Sequence, residues 1–215
     1  MGWYEVYLKD IKKKGTLENY VDDKIKNKKI LINLIKKYAK GNKLIESGSG
    51  TGVLSTYMSS LGYDVIGVDI DKDILNLSRK IAENYKSKNK PTFLYKSIFE
   101  LDYKKNTFDV SFSNGVLEHF SNEQIIETLK QQMIISKTVI FGIPTKYFNQ
   151  EEAMYGDERY MSYSFWRGLI NDAGGMIIEE KSMHYMNRKK RLLNFKKYFR
   201  PYPYRIFVIK LKNEN

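Results

Sequence analysis

Two short apolar runs, Leu44-Ile45 and Val65-Ile66-Gly67-Val68, each end in an acid, Glu46 and Asp69, and between them lies Ser47-Gly48-Ser49-Gly50-Thr51-Gly52. The pattern reads as strand, glycine turn, helix, strand, acid. Glycine accepts backbone angles that other residues resist, and it leaves bare amides against which a ligand can lie. An acid about 20 residues beyond such a turn, at the tip of the second strand, is placed to take both hydroxyls of a ribose. The chain is therefore expected to bind a nucleoside-containing cofactor through Gly48, Ser49, Gly50 and Asp69, with Ile70 beside the acid.

The spacing of the glycines narrows the choice. A dinucleotide fingerprint places its third glycine one position later, and that position holds Val53. A phosphate-binding P-loop needs Gly-Lys-Ser/Thr, and no lysine follows Gly52. The segment resembles the first motif of the class I S-adenosylmethionine-dependent methyltransferases, whose first-strand acid falls at Glu46. Phe108-Asp109-Val110-Ser111-Phe112-Ser113-Asn114-Gly115-Val116-Leu117-Glu118-His119-Phe120 is similar to the fourth-strand motif of the type 11 methyltransferase domain. Ile140-Phe141-Gly142-Ile143-Pro144 is similar to its fifth strand with the trailing proline. The resemblance implies S-adenosylmethionine as cofactor and S-adenosylhomocysteine as product. It implies contacts from Glu46, directly, through water or by orienting the loop, and from Asn114 to the cofactor's amino-acid end. It implies adenine contacts at Ser97 and Ile98. Many relatives carry an aspartate where Ser97 stands; a serine hydroxyl still makes a hydrogen bond. Asn114 can equally be a loop cap.

Strand and helix patterns alternate through the chain. Strands are expected at about 43–47, 63–69, 92–96, 108–113, 138–143, 176–184 and 204–212. Helices are expected over Thr51–Ser60, Lys72–Lys86, from the capping box Ser121-x-x-Gln124 to about Ile135, and from Ser162 or Ser164 through Ile170. A further helix from Asp22 or Asp23 to Tyr38 leads into the first strand, and residues 1–20 show no clear period. This is an α/β chain with a doubly wound, mostly parallel sheet and helices on both faces. The resemblance adds that the sheet is seven-stranded and its last strand antiparallel. Ligands of such sheets sit at the carboxyl ends of the strands, where Gly48, Asp69, Ser97 and Asn114 converge. One domain over 1–215 is expected, with an N-terminal segment and leading helix over 1–40 and a basic insertion at 187–203.

Composition excludes several classes. The chain of 215 residues has no cysteine, so disulfides, cysteine-ligated zinc and a cysteine nucleophile are absent. That includes the cysteine route to methylating a pyrimidine ring carbon. No apolar run is long enough to span a membrane, and Met1-Gly2-Trp3-Tyr4-Glu5 lacks the form of a signal peptide, so a cytoplasmic location is expected. The formal net charge is +12. It fits an acidic partner such as nucleic acid or anionic lipid, and equally a lysine-rich solvated surface. The basic segment holds Arg188, Lys189, Lys190, Arg191, Lys196, Lys197 and Arg200, with Leu192, Phe195 and Phe199 on one face if it is helical. It either packs on its own domain or meets phosphate.

His119 has two readings: a general base, or a structural part of the Leu-Glu-His motif that relatives with varied substrates share. Tyr147, Tyr155, Arg159 and Tyr160 lie in a polar loop that relatives use to wall the substrate pocket. Trp3, Tyr4 and Tyr7 either form a lid or pack. The two histidines, His119 and His184, are far apart with no clustered carboxylates, so no metal is expected. The Asn/Asp-Pro-Pro-Tyr/Phe motif of base amine methylation is absent after the fourth strand, where Ser113-Asn114-Gly115-Val116 stands. The expected activity is methyl transfer to an oxygen or nitrogen of a small molecule. The alternatives are an RNA or protein methyltransferase using the basic surface, and a non-catalytic binding module.

Overall fold

The computed structural model describes residues 2–148, 157–183 and 203–212. Its strands are β1 (Lys43–Ser47), β2 (Asp64–Asp69), β3 (Thr92–Tyr95), β4 (Val110–Asn114), β5 (Val139–Pro144), β6 (Gly175–Met183) and β7 (Tyr204–Leu211). They form one seven-stranded sheet in the order β3-β2-β1-β4-β5-β7-β6. The first five run parallel, and β7 lies antiparallel between β5 and β6. This is the mostly parallel sheet with an antiparallel last strand that the sequence led us to expect. Because β1 pairs with β2 on one side and β4 on the other, the winding reverses at its carboxyl end, and a crevice opens there.

Alternation along the strands sorts the core into two layers. Leu44, Val110, Phe112, Ile140 and Val208 face α3 (Lys29–Tyr38) and α4 (Val53–Ser60), which contribute Leu31, Ile35, Leu54 and Met58. On the opposite face Val139, Phe141, Phe207 and Ile209 pack on α6 (Asn122–Ile135) and α7 (Tyr163–Asp172), with Met133, Trp166 and Ile170. The helix starts follow local chemistry. Asp71 caps α5 (Lys72–Asn84) through the amides of Asp73 and Ile74. Ser121 and Gln124 form the expected reciprocal capping box of α6. Ser162, the first of the two serines considered, caps α7 by accepting from the Phe165 amide at 3.2 Å.

The N-terminal region departs from the sequence reading. Residues with no clear period form α1 (Trp3–Lys14) and the first part of α2 (Leu17–Asn27), whose cap is the Thr16 hydroxyl, 3.1 Å from the Asn19 amide. The reason is that α1 fully buries none of its side chains. Tyr4, Tyr7, Leu8 and Ile11 are only partly covered, against Val53, Leu77 and Ile81. A helix that lies across a surface rather than in a core carries a blurred apolar stripe. The single helix expected to Tyr38 is instead two, broken at Lys28, where the backbone stands at φ −108° and ψ 11°.

Smaller differences have local causes. Helix α4 begins at Val53 rather than Thr51, because Gly52 caps it in a left-handed conformation, φ +67°. Strand β4 begins at Val110 rather than Phe108. Asp109 is turned aside, accepting from the Lys43 amide at 3.1 Å and pairing with Lys137 at 2.8 Å. Among the described residues no helix is long and apolar enough to cross a membrane. His184 and the basic segment read at 187–203, apart from Pro203, lie outside the described residues.

Candidate active site

The crevice is built on the turn after β1. Gly48, Gly50 and Gly52 all have positive φ, +67°, +52° and +67°. The Ser49 amide reaches the Val68 carbonyl at 2.9 Å, which ties the turn to β2. A β-carbon on Gly50 would stand 2.9 Å from the Tyr7 hydroxyl, and one on Gly48 would stand 2.7 Å from the Val116 side chain. Both neighbours close on the turn itself, so the left-handed backbone and the lack of space act together.

Two acids frame the turn. Asp69, at the tip of β2, accepts from the Gly50 amide at 2.9 Å and from the Asp71 amide at 3.1 Å. Burial raises its carboxyl above the usual range, against the pull of those amides. Glu46, at the end of β1, is 4% exposed, and it accepts from the amide and the hydroxyl of Ser55 at 3.0 and 2.5 Å. Burial lifts it to about 7.

Two cavities meet over the turn. The larger, about 720 Å³, runs past Gly48, Gly50, Asp69, Ile70, Ser97 and Ile98. The smaller, about 280 Å³, reaches Glu46, Ser49, Asn114, Glu118 and Tyr160. Gly48, Gly50, Gly115, His119, Trp3 and Tyr7 line both. The nine residues expected at the cofactor thus all face one continuous crevice, and His119 stands at its waist. The Ser97 hydroxyl also accepts from the Phe99 amide at 3.2 Å.

The loop after β5 divides differently. Tyr160 lines the smaller cavity, and burial lifts its phenol to about 12. Phe148, stacked on Tyr160 with ring centroids 5.5 Å apart, lines it too. Tyr147 lines neither cavity; it is 40% exposed and packs on Tyr163. Arg159 lines neither: its guanidinium donates to the Phe120 carbonyl and, at 2.6 Å, to the side chain of Asn122, which holds the loop down. Tyr155 lies outside the described residues.

Other residues also line the site: Trp3 and Tyr7, which the sequence reading offered as a lid or as packing, and Lys28, Glu118 and Asp157, which it did not name as site residues. Trp3 and Tyr7 arrive from α1, stacked with centroids 5.7 Å apart, and burial pushes the Tyr7 phenol up. Lys28 arrives from the α2–α3 break, and burial lowers its ammonium to about 8. Glu118, 2% exposed, has one carboxylate oxygen, Oε2, with no hydrogen-bond partner among the described residues, and burial raises the group to about 8. Asp157 accepts from His119. The aromatics at positions 3 and 7 were visible in the sequence; no local signal marks Lys28 or Asp157. Among the described residues no group of three His, Asp or Glu side chains is placed to hold a metal ion.

The sheet order and the glycine crevice define an α/β fold of the nucleoside-binding kind, and comparison with known proteins places it. Residues 38–195, well over half of the chain, match the methyltransferase domain family. A ubiquinone biosynthesis O-methyltransferase of Glaesserella parasuis is 34% identical over 98 residues, 42% of this chain and 40% of that protein. A 23S rRNA (uracil(747)-C(5))-methyltransferase of Pyrococcus abyssi is 32% identical over 54 residues, 25% of this chain and 13% of that protein. The chain thus matches less than half the length of these curated relatives. The structure of a magnesium protoporphyrin IX methyltransferase from Synechocystis PCC 6803 with bound S-adenosylmethionine superimposes with a TM-score of 0.62 at 18% identity, over 94% of this chain and 82% of that one. At that identity the likeness is one of fold. The chain belongs to the methyltransferase domain family, within the class I S-adenosylmethionine-dependent methyltransferases.

Proposed function

We propose that the chain binds S-adenosylmethionine in the crevice over Gly48–Gly50 and transfers its methyl group to an oxygen or nitrogen of a small molecule. The observation that carries this reading is the junction of the two cavities at His119, with Asp69 lining one and Tyr160 the other. The residues suit the cofactor. Asp69 suits the ribose hydroxyls, and Ile70, Ser97 and Ile98 suit the adenine. Ser49 Oγ and Asn114 Oδ1 are buried without hydrogen-bond partners among the described residues, polar atoms that a ligand's amino-acid end would satisfy.

The cofactor when bound supplies a methyl group already activated on a sulfonium. What the chain's residues then do is hold the acceptor in line, keep water out and take up a proton. Trp3 and Tyr7 cover the crevice from the N-terminal side, while Phe148 and Tyr160 wall it opposite. His119 is the proton acceptor at the waist. A cavity of about 280 Å³ supports a small acceptor over a folded macromolecule.

The test has two arms. Calorimetry with S-adenosylhomocysteine should show micromolar or tighter binding. Incubation with S-adenosylmethionine and a panel of phenols, carboxylic acids and amines should release S-adenosylhomocysteine with at least one, and not with structured RNA. Absence of cofactor binding would favour the non-catalytic module; turnover on RNA alone would overturn the small-molecule assignment.

A further inference from the structure

The turn that carries His119 also brings a buried acid to the smaller cavity. Leu117–His119 is one short turn after β4, with Leu117 and Glu118 buried and His119 half-buried. The Arg159 amide donates to the Glu118 carbonyl at 2.9 Å, and its guanidinium donates to the Phe120 carbonyl. This pinning sets Glu158 and Tyr160, the neighbours of Arg159, on the cavity that Glu118 lines.

Glu118 differs from an acid that serves the fold. Glu46, in the same cavity, is satisfied by the amide and the hydroxyl of Ser55. Glu118 is 2% exposed, and its Oε2 has no hydrogen-bond partner among the described residues. A buried acceptor left in that state is costly until a donor arrives. The surroundings indicate what kind of donor. The charged side chains that line the cavity are Lys24, Lys28, Glu46, Glu118 and Glu158. Lys24 is paired with Asp10 at 2.6 Å. The charges of Glu158 and Asp157 each weigh on Glu118 more than that of Lys28. Ring faces complete the wall: Trp3, Phe148 and Tyr160 line the cavity, the last two stacked at an interplanar angle of 10°. Acids and aromatic faces attract an organic cation and disfavour an anion.

We propose that the smaller cavity takes the protonated amino group of the methyl acceptor on Glu118 Oε2, so that the acceptor is a small amine whose methylated oxygen or second nitrogen faces His119. This rests on the reading of the site as one that methylates a small molecule. Glu118 sets the specificity: an ammonium offers it both a donor and a counter-charge, an alcohol only a donor, and a carboxylate neither. Burial keeps the acid largely protonated near neutral pH, so an arriving ammonium ionises it and a proton leaves.

The test is calorimetry on the full chain saturated with S-adenosylhomocysteine. The probes are two pairs that differ only in amine against hydroxyl: tyramine and tyrosol, and 3-hydroxybenzylamine and 3-hydroxybenzyl alcohol. At least one amine should bind about tenfold tighter than its alcohol, the strength of a charged hydrogen bond less the cost of ionising the acid. At about pH 7 its binding should release protons, read as heats that differ between phosphate and Tris buffers. Glu118→Gln keeps the shape and loses the charge. It should bring each pair within about twofold, abolish the proton release and leave S-adenosylhomocysteine within about threefold. Equal binding of amine and alcohol by the wild type overturns the proposal and leaves the small-molecule reading standing. An amine preference that survives in Glu118→Gln also overturns it. So does a loss of S-adenosylhomocysteine affinity beyond about tenfold in that variant, which would assign the acid to the cofactor. Wild type that binds S-adenosylhomocysteine but none of the four probes overturns it as well, and wild type that binds no S-adenosylhomocysteine refutes the cofactor reading itself.

Discussion

The Nδ1 atom of His119 lies 2.6 Å from a carboxylate oxygen of Asp157, and the same ring meets the edge of Trp3 with centroids 5.6 Å apart. In the neutral ring, a hydrogen on Nδ1 directed at Asp157 leaves the lone pair on Nε2, which makes that atom the proton acceptor. An acid that orients a histidine is the arrangement a general base requires. His119→Ala should lower turnover about 100-fold with a phenol or amine acceptor, while affinity for S-adenosylhomocysteine stays within about threefold. Asp157→Asn should cost less, about tenfold. Steady-state rates for the two variants check this, and unchanged turnover in His119→Ala would return the histidine to a structural role.

Asp69 and Ser97 sit in the same cavity but should differ in weight. The Asp69 carboxylate suits two ribose hydroxyls, each charged hydrogen bond worth about 1.5–3 kcal/mol, whereas a neutral serine contact is worth about 0.5–1.5 kcal/mol. Asp69→Ala should therefore weaken S-adenosylhomocysteine at least tenfold, and Ser97→Ala by less. The Asp69 change has a second cost, because the Gly50 and Asp71 amides lose their acceptor. Calorimetry on both variants measures the order; a larger loss at Ser97 would reverse it.

What the sequence made legible followed from periodicity and turn chemistry. The strands announce themselves as apolar runs, and the Ser121–Gln124 box and the Ser162 cap are signals that the backbone obeys locally. The glycine turn and Asp69 carry their geometry in their spacing. The rest depended on contacts between distant segments. Helix α1 packs through partly buried tyrosines, so its stripe is faint. Lys28 sits mid-way along what reads as one amphipathic helix, and only the packing of α2 and α3 on different neighbours breaks it there. Arg159 reads as a pocket residue only through the resemblance, because relatives wall the substrate pocket with its loop. Its guanidinium is instead committed to Phe120 and Asn122, partners 39 and 37 residues away that no local pattern reveals.

Gly50 is the position where the turn and the N-terminal helix meet. Alanine there would take a left-handed angle, φ +52°, and would set its β-carbon 2.9 Å from the Tyr7 hydroxyl. The backbone term is about 1–2 kcal/mol, and the clash falls on the end of a side chain whose helix has no fully buried residue. Gly50→Ala should therefore lower stability by about 1–2 kcal/mol and raise amide exchange across Trp3–Lys14 more than across the sheet. Hydrogen exchange by mass spectrometry resolves the two regions. Equal protection of α1 in the variant and the wild type would mean that Tyr7 moves aside without loosening its helix.

Buried acids give the unliganded protein a distinctive pH profile. Burial raises Glu46 to about 7 and Glu118 to about 8, from a usual value near 4.5. A raised carboxyl binds its proton more tightly in the folded chain than in the unfolded one. Its contribution to stability is thus fully present below the unfolded pKa and is lost as pH rises through the folded value. Between pH 4.5 and about 8 stability should fall, with a slope of at most about 1.4 kcal/mol per pH unit from each acid. Asp69, also raised, acts in the same direction. Lys28 acts oppositely and later: its lowered value means the folded chain loses a proton first, so stability recovers from about pH 8 upward. Thermal melts should therefore show a minimum near pH 8. Glu118→Gln mimics the protonated acid, so it should match the wild type at pH 5 and exceed it at pH 8. A wild-type melting temperature that holds constant from pH 5 to pH 8 would show that these carboxylates are not shifted by burial.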